Sequence, residues 1–349
     1  MDAIDQDTVY KTFSYRVKDA SSGKHLARWA RAVNVVWNFA NEISIRSGDR
    51  GLKWVSKAQL LDLTKGSSKE IGLPSQVIQE IVDEFIDKRR ANGKPKLRWR
   101  SRRSLGWMPF TNQDIVLEPG VAVLRGKRVR LWQHRPIEGR IKSGNFSQDA
   151  QGRWYCNLAC AVKRKLSNGT DEIGVDLGLK TLATCSDGTT LAQARFYRDL
   201  EPDLADAQRR RQKRRVKKLH AKIANRRKDA LHKFSRALVN RCQRITVGDV
   251  SASKMAQTNM AKSVLDAGWS MFRGFLRYKC DHAGVAYSEV NEAYTTQACS
   301  CCGSIAGPRG KAGLPIRQWT CDGCGSEHDR DVNAARNIAR IGCDTLSLA

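Results

Sequence analysis

Ile173-Gly-Val-Asp-Leu-Gly178, followed closely by Thr181-Leu-Ala-Thr-Cys-Ser-Asp-Gly188, decides how the second half of this chain is built. The first run is an apolar strand with an acid near its end, and the second returns as its hairpin partner. Further on lie a long polar helical region, the strand Ile245-Thr-Val-Gly-Asp-Val250, a helix from about Lys262 to Ala283, the strand Val285-Ala-Tyr-Ser-Glu-Val290 and a last helix around Asn333–Ile338. A hairpin followed by strands alternating with helices predicts a mixed sheet with helices packed on it.

Upstream, Leu166-Ser-Asn-Gly-Thr170 reads as a linker, and the pattern before it is different. Tyr10–Val17 alternates apolar and polar residues as a strand does. Leu26, Trp29, Val33, Val36, Trp37 and Ala40 recur at helical spacing, predicting a helix from about His25 to Arg46. Ser56–Lys65 reads as a shorter helix, and Pro74 opens another that runs to about Arg90. Asn92-Gly-Lys-Pro95 breaks the pattern. Lys96-Leu-Arg-Trp-Arg-Ser-Arg-Arg103 then alternates bases with Leu97 and Trp99, and as a strand it would set Lys96, Arg98, Arg100 and Arg102 beside an exposed aromatic. Lys94 and Arg103 flank it, and the set suits phosphate contact with stacking. Short β runs at Val121–Leu124, Arg128–Trp132 and Trp154–Val162, with turns between them, predict a small β-barrel interrupted by the helical insert.

The 349 residues carry 62 Lys+Arg against 35 Asp+Glu, a net charge of +27. That excess argues against an ordinary metabolic enzyme and for a polyanionic partner, nucleic acid first. A 41% apolar content suffices for two or three cored domains. No stretch approaches the roughly 18–20 apolar residues of a membrane span, and the acidic start Met1–Asp5 lacks the features of a secretory signal, so the expected location is the cytoplasm, at the nucleoid. Residues 207–241 hold fifteen Lys/Arg and one acid, about half of the excess. Val216, Leu219, Ile223, Leu231, Phe234, Leu238 and Val239 give that segment an apolar stripe. A cationic rod remains, in which Arg209, Arg210, Arg211, Arg214, Arg215, Lys218, Lys222, Arg226 and Arg227 can track phosphates.

Of eleven cysteines, Cys299-Ser-Cys-Cys302 and Cys321-Asp-Gly-Cys324 form two Cys-x₂-Cys knuckles separated by eighteen residues. Cys299, Cys302, Cys321 and Cys324 can bind one structural zinc, with Gly303 and Gly325 where the chain turns tightly after each knuckle. Cys301 is left over, and the six scattered cysteines read as small buried hydrophobes. A second constellation is acidic: Asp176 ends an apolar strand, and Asp329 and Asp331 open the last helix. In a strongly basic chain, such oxygen ligands suit magnesium and two-metal phosphodiester hydrolysis.

Ile173–Ala183, the basic helix ending in Arg227-Lys-Asp-Ala-Leu-His-Lys-Phe-Ser-Arg-Ala-Leu238, Ala293-Tyr-Thr-Thr-Gln-Ala-Cys-Ser-Cys-Cys-Gly303 and His328-Asp-Arg-Asp-Val-Asn-Ala-Ala-Arg-Asn-Ile338 together resemble the TnpB proteins of insertion sequences, relatives of type V CRISPR effectors and Fanzor proteins. The resemblance is specific from about 171 to 340 and general before that. It implies an α+β multidomain protein. A wedge β-barrel (1–20 and 112–165) would carry a helical recognition insert (21–111), followed by an RNase H-like RuvC domain (171–349) with an inserted zinc finger (297–327). It implies RNA-guided DNA cleavage with a guide RNA from the transposon end, a target double-stranded DNA and a short flanking motif, one or two copies acting per guide. By matching motifs, Asp176 is the first catalytic carboxylate, Asp331 the last and Asp329 a helix-start residue.

One position departs from that pattern. The family's catalytic Glu usually ends the strand matching Ile245-Thr-Val, where this chain has Gly248. In one reading the acid has moved, as in Fanzor proteins and a subset of TnpB, to Glu292, 44 positions on; Asp176, Glu292 and Asp331 then hold two Mg²⁺. Glu292 reaches the same end of the sheet if its strand lies adjacent and parallel, while Asp249 points the other way. In the other reading the nuclease is dead and the chain is an RNA-guided DNA-binding repressor.

Overall fold

A computed structural model describes residues 7–51, 54–94, 96–124, 126–192, 195–249, 268–313 and 315–346. The chain divides into two compact units, Met1–Lys163 and Arg164–Ala349.

The first unit opens with β1 (Thr8–Val17) and four helices, α1 (Ala20–Asp49), α2 (Lys57–Leu63), α3 (Ser68–Ile71) and α4 (Ser75–Asn92). Six strands follow: β2 (Trp107–Thr111), β3 (Ile115–Glu118), β4 (Val121–Leu124), β5 (Lys127–Trp132), β6 (Arg140–Gln148) and β7 (Trp154–Lys163). Their order is β2-β6-β7-β1-β5-β4-β3, so the first strand of the chain lies at the sheet's centre, and every pairing is antiparallel. The period of two buries Val9, Phe13, Tyr15 and Val17 of β1. Among the described residues no pairing joins β2 to β3. The sheet takes Trp107–Thr111, which the domain expectation assigned to the helical insert. It also takes β6, whose polar sequence buries only Phe146 and so carries no alternation to read.

Helix α1 begins before the expected His25 because Asp19 caps it, its carboxylate accepting the Ser22 N–H at 2.8 Å. That hydrogen bond holds the Asp19 carboxyl below its ordinary pKa. Ser56 and Gln59 close a reciprocal capping box on α2, and Gly93, in the left-handed region at φ +59°, ends α4. Leu26, Val33 and Trp37 of α1 pack with Val77, Ile81 and Phe85 of α4, and Trp37 meets Phe85 edge-on at 5.4 Å. Such an aromatic pair contributes about 0.5–1.5 kcal/mol beyond its burial.

The second unit contains β8 (Asp171–Leu177), β9 (Thr181–Cys185), β10 (Thr190–Ala192), α5 (Glu201–Arg209), α6 (Lys213–Arg241), β11 (Cys242–Gly248), α7 (Trp269–Ala283) and β12 (Ala286–Val290). It ends with α8 (Gly310–Gly313), β13 (Gln318–Thr320), β14 (Glu327–Asp329) and α9 (Arg330–Leu346). The sheet order is β10-β9-β8-β11-β12; β8 runs parallel to β11 and β11 to β12, while β9 returns antiparallel as the hairpin partner. Two glycines allow α9 to lie close on this sheet. A Cβ on Gly174 would stand 2.0 Å from the Ala335 carbonyl oxygen, and one on Gly342 would stand 2.1 Å from Thr246 Oγ1. Leu231, Leu238 and Val239 of α6 share a core with Phe272, Leu276 and Cys280 of α7.

Several expectations change here. The linker 166–170 is docked on the second unit: the Ser167 N–H donates to the Ala283 carbonyl at 2.8 Å, and Ser167 Oγ donates to that of Val239. The basic rod is broken between α5 and α6, where Arg211 takes a positive φ of 53°, so Arg209, Arg210 and Arg211 flank a bend. Helix α7 starts at Trp269 because Gly268, at φ +70°, cannot continue a helix; the expected start at 262–267 and the strand end at Val250 lie outside the described residues. Five scattered cysteines are buried as expected, but Cys343 is only partly so and donates to Glu172.

Candidate functional site

Asp176 ends β8, and the register that pairs Val175 with Val247 brings it level with Gly248 at the end of β11. Gly248 in turn pairs with Val290, so Glu292, two residues beyond β12, emerges at the same end of the sheet. The condition of an adjacent, parallel strand is therefore met. A Cβ on Gly248 would sit 3.2 Å from Glu292 Oε2 and 3.4 Å from its Cβ, so the Glu292 side chain fills the space beside the glycine. Gly248 does not have a positive φ, so room rather than backbone freedom is what the glycine provides.

Two other acids nearby are engaged elsewhere. Asp249 pairs with Arg273 at 2.5 Å, and Glu289 is held by Arg273 at 3.2 Å, Arg277 at 2.6 Å and the Tyr287 hydroxyl at 2.7 Å. Asp331 completes the group from the first turn of α9. Asp329 caps that helix, Oδ1 accepting the Asp331 and Val332 N–H groups at 3.0 Å each. Burial, then the charges of Glu292 and Asp331, push the Asp176 carboxyl up to about 7. Burial, then Asp249, raises Glu292 as well.

Arg317, which the sequence did not single out, donates through Nη1 to both Asp331 oxygens, at 2.9 and 3.1 Å. Its place follows from the β13–β14 hairpin, where Gln318 pairs with Asp329 and Arg330 N donates to the Arg317 carbonyl at 2.7 Å. Only a reading of 318–329 as a hairpin could have found it.

The four cysteines of the two knuckles bring their sulfurs within 4.8 Å of one another, Cys299 to Cys324 at 3.7 Å and Cys302 to Cys321 at 3.6 Å. Four thiolates so gathered suit a closed tetrahedral zinc site. Gly303 and Gly325 follow the knuckles at φ +80° and +72°, and Cys301 is exposed and outside the group. Buried His328 places Nε2 3.0 Å from Cys299 Sγ, an outer contact that spacing alone did not suggest. Among the described residues, no other set of three or more His, Cys, Asp or Glu is so tightly gathered.

The basic residues differ in exposure and in partners. Arg209, Arg211, Arg214, Lys218, Lys222 and Arg226 are exposed, and Arg227 is partly buried. Arg210 and Arg215 face the acids of α5, Arg210 on Asp206 at 2.9 Å and Arg215 on Asp203 and Asp206 at 3.6 Å each. In the first unit, 96–101 pairs with no strand, and 101–104 forms a turn closed by the Ser104 N–H on the Ser101 carbonyl at 3.0 Å. Asparagine amides one and two turns apart on α1 take the place of a partner. Asn41 exchanges bonds of 2.9 and 2.8 Å with Leu97, and Asn38 does so with Arg100 at 2.8 and 2.9 Å. Arg100 is bound into this arrangement, Nε donating to Asn34 at 2.7 Å and its guanidinium lying over Trp37 and Trp107, so it has partners within the unit that, among the described residues, the other cations of the segment lack. Lys94, Lys96, Arg98, Arg102 and Arg103 stay exposed, and Arg98 and Trp99 border a cleft of about 620 Å³.

Comparison with known proteins bears out the resemblance to TnpB. The family description "Cas12f1-like, TNB domain" matches residues 269–338, and "Probable transposase" matches 156–259. A protein of Streptomyces pristinaespiralis named "Putative RNA-guided DNA endonuclease" is 29% identical, over 96% of this chain and 90% of that protein. The Escherichia coli K12 protein of the same name with the suffix InsQ is 30% identical, over 70% of this chain and 62% of its own length. The solved structure of Cas12f1 with its sgRNA and target DNA superposes with a TM-score of 0.60 at 12% identity, over 95% of this chain and 99% of that one, and so shares the fold. No helix among the described residues is long and apolar enough to cross a membrane.

Proposed function

We propose that this chain is a transposon-associated RNA-guided DNA endonuclease in which Asp176, Glu292 and Asp331 form a RuvC-type catalytic centre. Relatives named for that activity and the shared fold of a guide-bound effector support the class. The observation that carries the site is the Glu292 carboxylate lying 3.2 Å from where a Gly248 Cβ would be, at the strand end shared with Asp176.

The three carboxylates would hold two Mg²⁺, which when bound activate the attacking water and stabilise the leaving oxygen of the phosphodiester. Burial first, then the charges of Glu292 and Asp331, raises Asp176; a divalent cation would offset that repulsion, and the donors are all oxygens, as magnesium requires. Arg317 holds Asp331 in orientation and adds positive charge beside a phosphate that docks there. The four thiolates hold a structural zinc. Exposed cations of α6 and of 94–103 bind backbone phosphates, while pairing with the guide reads sequence. The first unit serves as the wedge and recognition part, reading the short flanking motif.

The test is to isolate the protein with its co-purifying RNA and challenge it, with Mg²⁺, with a plasmid library carrying a randomised flank beside the guide-matched target. Depletion of one flank class is expected. Guide-directed binding without any cleavage would mean a repressor, and depletion of no flank would refute RNA-guided recognition.

A further inference from the structure

Asn333 and Asn337 lie one turn apart on α9, 1% and 2% exposed, among apolar neighbours such as Ala334 and Ile338. Buried amides of this kind are kept satisfied, and here both point at the same two carbonyls. Asn333 Nδ2 donates to Thr295 O at 3.2 Å and Ala298 O at 2.8 Å; Asn337 Nδ2 donates to the same oxygens at 2.9 and 2.7 Å. The acceptors belong to the turn that follows Glu292. Thr295 is itself buried, and its N–H and Oγ1 both donate to the Glu292 carbonyl, at 3.2 and 2.7 Å. On the other side, Asn333 Oδ1 accepts the Ser300 N–H at 2.8 Å, inside the first zinc knuckle.

We propose that Asn333 and Asn337 are positioning residues: they clamp the Glu292 turn and the first knuckle onto the helix that carries Asp331, and so set the spacing between the two carboxylates. Glu292 and Asp331 sit on different elements, and a chain of buried hydrogen bonds, α9 to Thr295 to Glu292, joins them. Zinc stiffens the same block, because the knuckle it closes is bonded to Asn333. The inference rests on the reading that these carboxylates hold divalent cations.

The test compares the full-length protein with Asn337→Ala and with Thr295→Val, which removes one hydroxyl at nearly constant shape. Mn²⁺ binding is followed by electron paramagnetic resonance without DNA, zinc content by metal analysis, and amide exchange over 292–300 by mass spectrometry. Asn337→Ala is expected to weaken Mn²⁺ about tenfold, as loss of an outer-shell partner does. Zinc should stay at one per chain, and exchange over 292–300 should quicken at least tenfold. Thr295→Val should move Mn²⁺ affinity the same way, and it decides alone if Asn337→Ala does not fold. Mn²⁺ affinity within twofold of the unmutated protein, in either folded variant, overturns the clamp. Failure of the unmutated complex to cleave with Mg²⁺ would instead overturn the nuclease reading, and the exchange result would still stand or fall by itself.

Discussion

Exchanging the acid between positions 292 and 248 tests the centre most directly. Glu292→Ala removes one of three carboxylates and should slow cleavage on the order of 10³-fold, about 4 kcal/mol at 1.36 kcal/mol per tenfold. Gly248→Glu alone should also be harmful. Its Cβ would stand 3.0 Å from Ile338 Cδ1 and 3.2 Å from Glu292 Oε2, so both neighbours must shift by a few tenths of an ångström. A second carboxylate about 4 Å from the first repels it by roughly 4 kcal/mol at an effective dielectric of 20, enough to keep one of them protonated or pushed aside. The double variant Gly248→Glu/Glu292→Ala relieves both problems, since the alanine vacates the space the new side chain needs. It should recover at least tenfold over Glu292→Ala, a coupling only neighbouring groups can show. The assay is single-turnover cleavage by the guide complex, with guide affinity and melting temperature as controls. If Glu292→Ala cleaves like the unmutated protein, or if the double variant is folded, guide-bound and no faster than Glu292→Ala, the relocation is wrong.

The raised Asp176 pKa of about 7 means that metal must displace a proton at lower pH, so cleavage should climb up to tenfold per unit below pH 7 and level off above; a flat profile from pH 5.5 to 8.5 would contradict this. The sign of the stability effect is opposite: the folded state holds the proton more tightly than the unfolded chain, so the metal-free protein loses stability as pH rises from about 4 to 7, and Mg²⁺ should raise its melting temperature more at pH 8 than at pH 5.5. Asn38→Ala removes two bonds to the Arg100 backbone and should cost about 2 kcal/mol. Trp99→Ala, at a side chain 44% exposed, should leave melting unchanged and weaken nucleic-acid binding by about 1–3 kcal/mol, and equal melting losses in the two variants would refute the division. Replacing Lys218, Lys222 and Arg226 by Ala should lower the slope of log affinity against log salt by about two to three if each meets a phosphate, and an unchanged slope would remove α6 from the interface.

What the sequence made legible was what periodicity and spacing encode. The apolar run Ile173–Leu177 with its hairpin partner Thr181–Cys185, the stripe of α1 and the two Cys-x₂-Cys knuckles all correspond to elements or groups in the structure. The segment 96–103 is not the alternating strand expected: Leu97 and Arg100 are its partly buried positions and 102–103 lie in a turn, because the side-chain amides of Asn38 and Asn41, which no strand signal records, hold its backbone. The partners of Arg100 were hidden for the same reason, because a cation packed near two indoles looks in sequence like one facing solvent. Arg317 and the two asparagines of α9 were invisible because their roles depend on contacts between distant parts of the chain, which no local pattern carries.

Gly248 and Glu292 are better regarded as one feature than as a loss and a gain. Strands β11 and β12 are parallel neighbours, so their C-terminal ends meet beside that of β8, and an acid just past β12 can occupy nearly the volume that an acid ending β11 would fill. It does so with least crowding where β11 offers no side chain, since a Cβ at 248 would lie 3.0–3.4 Å from three atoms already there, which would have to give by a few tenths of an ångström. Glycine is thus the residue that makes room for Glu292. A chain that had merely lost its catalytic acid would have no physical need for glycine at this ordinary backbone conformation, and an alanine or serine would serve. The pairing of a side-chain-free position with a carboxylate seated beside it is what the relocated-acid reading requires, and the need for that space is testable. Gly248→Ala, which adds only the Cβ, should reduce cleavage roughly tenfold or more by displacing Glu292 by a few tenths of an ångström, since small misplacements of a catalytic group can cost up to ~10²-fold. Guide binding should be unaffected. A fully active Gly248→Ala would show that the space is not needed, and with it the argument that the two positions act together would fail.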